Sequence, residues 1–195
     1  MRTAVIFLAG FAGGVLFLGV LVSRTHSVET IRATSVLAAP PLAAAPSVVA
    51  SQALSDLLIP VEGVTARALH PDFDEMGGGH RHEALDILAP RGTPVRAAAA
   101  GNVAKLFLSK PGGLTVYQFD ETRNWCFYYA HLDHYAAGLT EGARLRQGEV
   151  LGYVGTSGNS PPDTPHLHFA IFKLGPEKHW WQGTGIDPYP LLGGR

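Results

Sequence analysis

The chain has 195 residues, 46% hydrophobic and 16% charged, with 15 Lys/Arg against 16 Asp/Glu and a formal net charge of −1. That length suits one globular domain plus an appendage, and with no basic or acidic block the sequence argues against nucleic acid as a partner and against a polybasic membrane patch. Cys126 is the single cysteine, so an intrachain disulfide and a cysteine-based zinc site are both excluded, and any metal must be held by histidine and carboxylate.

Ala4 to Val22 carries no charge and is bracketed by Arg2 and Arg24. At 19 residues the run exceeds the usual signal-peptide core of about 7–15 and approaches the roughly 20 that span a bilayer. Residues 1–24 are therefore read as one N-terminal transmembrane helix, a signal anchor. The small-residue stretch from Val36 to Ala45 keeps a cleaved signal peptide as the alternative. Either reading exports the globular part of the chain. Residues 25–55 are rich in Ala, Pro, Ser and Thr, and Pro40, Pro41 and Pro46 interrupt any long helix. They read as an extended linker.

From Asp56 to Arg195 the pattern changes to short apolar runs separated by turns. Thr93–Ala99 ends at Gly101-Asn102, Val103–Leu108 at Pro111-Gly112-Gly113, and Leu114–Phe119 at a polar stretch from Asp120 to Asn124. Trp125–His131, Val150–Val154 and His166–Lys173 complete the series. Short strands with Gly/Pro-rich turns and no long helical period predict an all-β domain with few short helices. Cys126 falls within a strand and reads as a small core residue.

The most informative residues are His166 and His168. Positions i and i+2 of a strand face the same side, about 7 Å apart, while Leu167 and Phe169 point to the other side and can anchor a core. Upstream, His82 and Asp86 are four apart. In a straight strand they would be separated by roughly 13 Å, so they meet only if the chain turns between them. His82-Glu83-Ala84-Leu85-Asp86 also looks like a zincin HExxH helix with its last histidine changed. That reading needs a helix, and Gly77-Gly78-Gly79 before it and Pro90, Gly92 and Pro94 after it leave little room for one. Glu83 is then a solvated or outer carboxylate. His131 ends an aromatic strand. His80 lies in the glycine-rich approach, where it can border the site, His134 falls in a loop, His70 and His179 show no partner pattern and His26 lies in the linker; all five are read as surface or local structural residues. Trp180-Trp181 suits either a groove wall or core packing.

Taken together, His82-x-x-x-Asp86, Ala89-Pro90-Arg91-Gly92-Thr93-Pro94-Val95, Tyr129-Ala130-His131-Leu132, Gly148-x-x-x-Gly152-x-x-Gly155 and His166-Leu167-His168-Phe169 resemble the lysostaphin-type (LytM-type) zinc metallopeptidases. These enzymes cleave stem peptides or cross-bridges of peptidoglycan. The resemblance covers roughly residues 60–190. It implies an antiparallel-sheet peptidase domain, one Zn²⁺ per domain held by His82, Asp86 and His168, and His131 and His166 as the catalytic pair beside the water that the ion activates. Which of the two is the base stays open. It also implies a peptidoglycan peptide substrate, with the anchor placing the domain on the periplasmic side of the inner membrane as a single-pass protein. A regulatory protein partner is compatible with this. Two positions depart from the family pattern: Ala84 stands where glycine is frequent, and no tyrosine precedes the first ligand. A different reading, a noncatalytic wall-binding or hydrolase-activating module, is disfavoured because all five site positions are present.

Overall fold

The computed structural model describes residues 54–77 and 79–194, so the expected anchor at 1–24 and nearly all of the expected linker at 25–55 lie outside the described residues. Among the described residues, no helix is long and apolar enough to cross a membrane. The strands in chain order are β1 (Met76–Gly77), β2 (His80–Arg81), β3 (Leu85–Leu88), β4 (Pro94–Arg96), β5 (Gly101–Ser109), β6 (Gly113–Asp120), β7 (Trp125–Tyr135), β8 (Arg144–Leu145), β9 (Val150–Val154), β10 (His166–Leu174) and β11 (Gly183–Ile186). β1 and β2 form a separate hairpin; the other nine belong to one sheet in which β11, β10, β7, β6, β5 and β8 lie side by side. Every pairing is antiparallel. The short helical pieces are a 3-10 turn at Ala66–Ala68 and α1 at Pro188–Leu191. The Asp187 side chain caps α1 by accepting the Tyr189 N–H, satisfying one of the donors a helix start leaves open.

β10 explains much of this architecture. One edge pairs with β7, and the other pairs first with β3 (His166–Phe169) and then with β11 (Ile171–Leu174). Leu167, Phe169 and Ile171 are fully buried in the main core, beside Leu85, Ile87, Phe127 and Tyr129. Phe169 stacks parallel to Phe127 with centroids 6.4 Å apart and lies 5.3 Å from the Tyr129 ring. Truncating an aromatic side chain packed in this way typically costs 3–5 kcal/mol. Phe169→Ala is therefore expected to lower the unfolding free energy by about that amount, read from the denaturant midpoint of the full chain; a change below about 1 kcal/mol would contradict this account of the core.

The opposite face of the sheet carries His166 and His168 at one end and a small second cluster at the other. Phe119, Cys126 and Leu174 are buried there, with Tyr117, Phe172 and Trp180 packed against them. Cys126 is inert in this setting, because burial pushes its thiol up to about 12. Trp180 thus belongs to packing, whereas Trp181 is exposed and stacks on His179.

Strand β7 contains the irregularity that matters most. Phe127 and Tyr129 face the main core, so strict alternation would send His131 there too. Instead the register with β6 shifts: Val116 opposes Tyr129 while Leu114 opposes Leu132. His131 occupies the left-handed region with φ of 61°. This added residue, a bulge, returns Leu132 to the core and turns His131 toward the histidines of β10. A left-handed non-glycine residue stores roughly 1–3 kcal/mol and clusters at functional sites.

Candidate active site

His82 and Asp86 do meet, and a turn brings them together. Between β2 and β3 the chain passes through Glu83 at φ of 52°, so residues 82–86 are a left-handed turn leading into a strand and not the zincin-like helix that the spacing also permits. Glu83 is exposed, its backbone N–H donating to the Phe73 carbonyl at 3.0 Å. Ala84 is fully buried beneath the turn. Pairing of β3 with β10 sets Asp86 directly opposite His168.

Three donor atoms converge as a result. His82 Nε2 lies 3.1 Å from Asp86 Oδ1 and 3.1 Å from His168 Nδ1, and His168 Nδ1 lies 3.0 Å from Asp86 Oδ1. Among the described residues, this is the one group of three or more His, Cys, Asp or Glu side chains able to hold a metal ion together. Burial would raise the Asp86 carboxyl, but hydrogen bonds from His168 and His82 outweigh it and hold the group well below the usual carboxylate range. The same hydrogen bond to Asp86 raises His82 above its ordinary value, against the opposing effect of burial. A proton attracted to that spot stands where a cation would.

His131 and His166 stand beside the triangle. The His131 ring is 4.9 Å from that of His166 and 5.5 Å from that of His168, both edge-on. His166 Nε2 is 3.6 Å from Asp86 Oδ2. Their tautomers follow from their outer partners. His131 Nδ1 faces the Ser157 carbonyl at 2.8 Å, and His166 Nδ1 faces the Thr164 carbonyl at 2.8 Å. A carbonyl only accepts, so in each neutral ring Nδ1 carries the proton and Nε2 keeps the lone pair. Burial, the largest influence on His131, brings it down to about 4, which keeps the ring neutral at neutral pH.

The five side chains line an open cleft of about 370 Å³ walled by Pro111 and Gly112 on one side and Asn159, Ser160 and Pro161 on another. The walls are tied together: Asn159 N–H donates to the Pro111 carbonyl at 3.0 Å, and Leu114 N–H donates to Ser157 Oγ at 3.0 Å. Gly158 and Gly113 pack backbone to backbone. A Cβ on Gly158 would lie 2.3 Å from Gly113 N and 2.4 Å from Pro111 O, and Gly158 has φ of 78°. Gly158→Ala is accordingly expected to destabilise the folded chain by more than about 1 kcal/mol and to lower cleavage, checked by thermal midpoint and activity on the same preparation.

Asn159, Ser160 and Pro161, in the loop that follows Gly155, thus border the cleft. Four other contributors carry no signal in the sequence pattern. Pro111 and Gly112 read there only as a turn. Tyr128, whose ring meets His168 edge-on at 6.0 Å, reads only as a strand aromatic. Asp72 touches both His82 and Asp86. His134 lies within β7 and not in a loop, but it is exposed on the surface, stacked on Tyr153 at 4.3 Å. His70 and His179 lie outside the cleft.

The chain is similar to known peptidases in sequence and in fold. The L-Ala–D-Glu endopeptidase of Bacillus subtilis is 34% identical over 131 residues, 65% of this chain and 39% of that protein. The peptidoglycan DD-endopeptidase ShyC of Vibrio cholerae is 31% identical over 113 residues, 58% of this chain and 24% of that protein. The chain therefore spans well under half the length of these curated relatives. The catalytic domain of the antimicrobial peptidase lysostaphin from Staphylococcus simulans superposes with a TM-score of 0.51 at 27% identity, over 60% of this chain and 83% of that one. Residues 80–188, which contain all five site positions, match the sequence profile of peptidase family M23, and the chain belongs to that family.

Proposed function

We propose that the chain is a zinc metalloendopeptidase that hydrolyses peptide bonds in peptidoglycan stem peptides or cross-links, tethered by its N-terminal anchor on the periplasmic face of the inner membrane. The observation that carries the reading is the convergence of His82 Nε2, Asp86 Oδ1 and His168 Nδ1 at 3.0–3.1 Å next to two histidines whose Nε2 lone pairs are free. Tetrahedral zinc with ligand distances of about 2.0–2.1 Å has ligand–ligand edges of about 3.3–3.4 Å. The donor set fits that ion with a few tenths of an ångström of spreading. Two imidazoles and one carboxylate leave a coordination position open, as a catalytic site needs.

A zinc ion bound there supplies Lewis acidity, bringing the pKa of a water down toward about 7 and polarising a carbonyl. The protein's own groups do the rest. His131 and His166, whose Nδ1 atoms face carbonyls, are placed to take a proton at Nε2 from the attacking water and to return one to the leaving amine. In the protonated state either ring stabilises negative charge developing on the carbonyl oxygen.

The test is incubation of the full chain with purified peptidoglycan, with and without a chelator, with the released fragments identified by mass. New peptide ends that vanish with chelator and return with zinc support the reading and name the bond. A zinc-loaded protein that binds peptidoglycan and releases nothing would favour the noncatalytic module. Acid should weaken metal binding in a defined direction. His82 must lose its proton to become a ligand, and its pKa is raised above 6.5, so protons compete with the ion at neutral pH and increasingly below it. Apparent zinc affinity is expected to fall by about tenfold per pH unit on acidification from about pH 7, measured by competition with a chromogenic chelator; a flat profile would remove His82 from the ligand set.

A further inference from the structure

The segment ahead of the first ligand holds a residue that touches two of the three ligands at once. The Asp72 carbonyl faces His82 Nδ1 at 3.2 Å and also accepts the Glu75 N–H at 3.0 Å. Asp72 Oδ2 accepts the backbone N–H of Asp86 at 3.0 Å. Asp72 Oδ1 is 3.7 Å from His82 Nδ1, is buried, and has no hydrogen-bond partner; among the described residues, one other buried side-chain polar atom, Trp125 Nε1, shares that condition.

The blander role for Asp72 is to close the turn at residues 72–75, but the backbone carbonyl alone does that, and any residue could supply it. The carboxylate is not needed for the turn. Leaving one of its oxygens buried without a hydrogen bond works against stability. What the side chain does reach is the ligand set, from behind. A ligating imidazole generally directs its second N–H to a carbonyl or carboxylate, which fixes the ring and increases its basicity toward the ion. Asp72 offers His82 both kinds of acceptor while gripping the backbone of Asp86.

We propose that Asp72 is a positioning residue for the metal site, holding His82 and Asp86 in ligating arrangement and keeping an uncommitted carboxylate oxygen behind the His82 ring to strengthen its hold on the cation. The inference rests on the zinc reading above. It predicts opposite signs for two quantities that a purely structural residue would move together. In Asp72→Asn, an oxygen remains to accept the Asp86 N–H while the buried charge is gone. The metal-free thermal midpoint should stay level or rise, and zinc affinity should fall by about 10–100-fold. In Asp72→Ala the Asp86 N–H loses its partner, so both should fall.

The experiment uses the full chain and its two variants, with zinc titrated against a chromogenic chelator and unfolding followed after metal removal. Wild-type affinity in Asp72→Asn would overturn the proposal, as would a loss of affinity accompanied by an equally clear loss of metal-free stability. A wild-type chain that takes up no zinc would overturn the metal reading, and this inference with it. A wild type that binds zinc beside an indifferent Asp72→Asn would sink this inference alone.

Discussion

Asp86→Ala is expected to abolish zinc uptake and to reduce peptide hydrolysis by more than about 10³-fold, a loss of several kcal/mol in the barrier. Asp86 sits at the centre of the site: Oδ1 is 3.0–3.1 Å from both ligand nitrogens and Oδ2 is 3.6 Å from His166 Nε2. It is the negative charge of the triangle. Without it two imidazoles face each other at 3.1 Å with no ligating carboxylate to offset an approaching dication. The variant should still fold, since Asp86 contributes its backbone to β3 whatever its side chain. Metal content per chain, circular dichroism and fragment release on one preparation settle it. Stoichiometric zinc and activity within tenfold of wild type would remove Asp86 from the ligand set.

Replacing His131 or His166 should give a different signature, full zinc content with kcat lower by about 10²–10⁴-fold. His131→Asn is the informative choice, because asparagine tolerates the left-handed backbone at this position. The double variant should lose less than the product of the single losses, since groups acting on one proton-transfer sequence are not additive. The pH dependence adds a second check. A base must be neutral, and with His131 in that role the neutral form persists on acidification until about 4. At saturating zinc, kcat should therefore hold well below the pH at which zinc affinity begins to fall. If the His131 and His166 variants lose zinc in parallel with activity, those residues serve the metal and not the chemistry.

The legible part of this protein was whatever depended on residue type and two-residue periodicity. The six apolar runs correspond to β4, β5, β6, β7, β9 and β10, although the first shrinks to Pro94–Arg96, its buried Ala97–Ala99 continuation being irregular. Strands of two residues, such as β1, β2 and β8, carry no periodic signal, and Gly183–Ile186 resembles a loop because glycine has weak strand preference. β3 is hidden for another reason: its four residues come after a left-handed turn at Glu83, a residue that ordinarily avoids such a backbone. At the site, His82, Asp86, His131, His166 and His168 are all nameable from spacing and family likeness. Their union depends on two backbone events, at Glu83 and His131, that neither side chain advertises. Asp72 stays invisible because its grip is largely on backbone groups, and such contacts leave no motif.

The bulge at His131 has a mechanical consequence. Its peptide N–H is bound to the Gly112 carbonyl at 2.9 Å, its ring to the Ser157 carbonyl at 2.8 Å, and Ser157 Oγ in turn donates to the Leu132 carbonyl at 2.7 Å. His131 is thereby a crossbar between the two jaws of the cleft, its peptide N–H holding one and its ring the other. Prising the jaws apart would strain both bonds, so the width of the cleft and the setting of the ring are coupled.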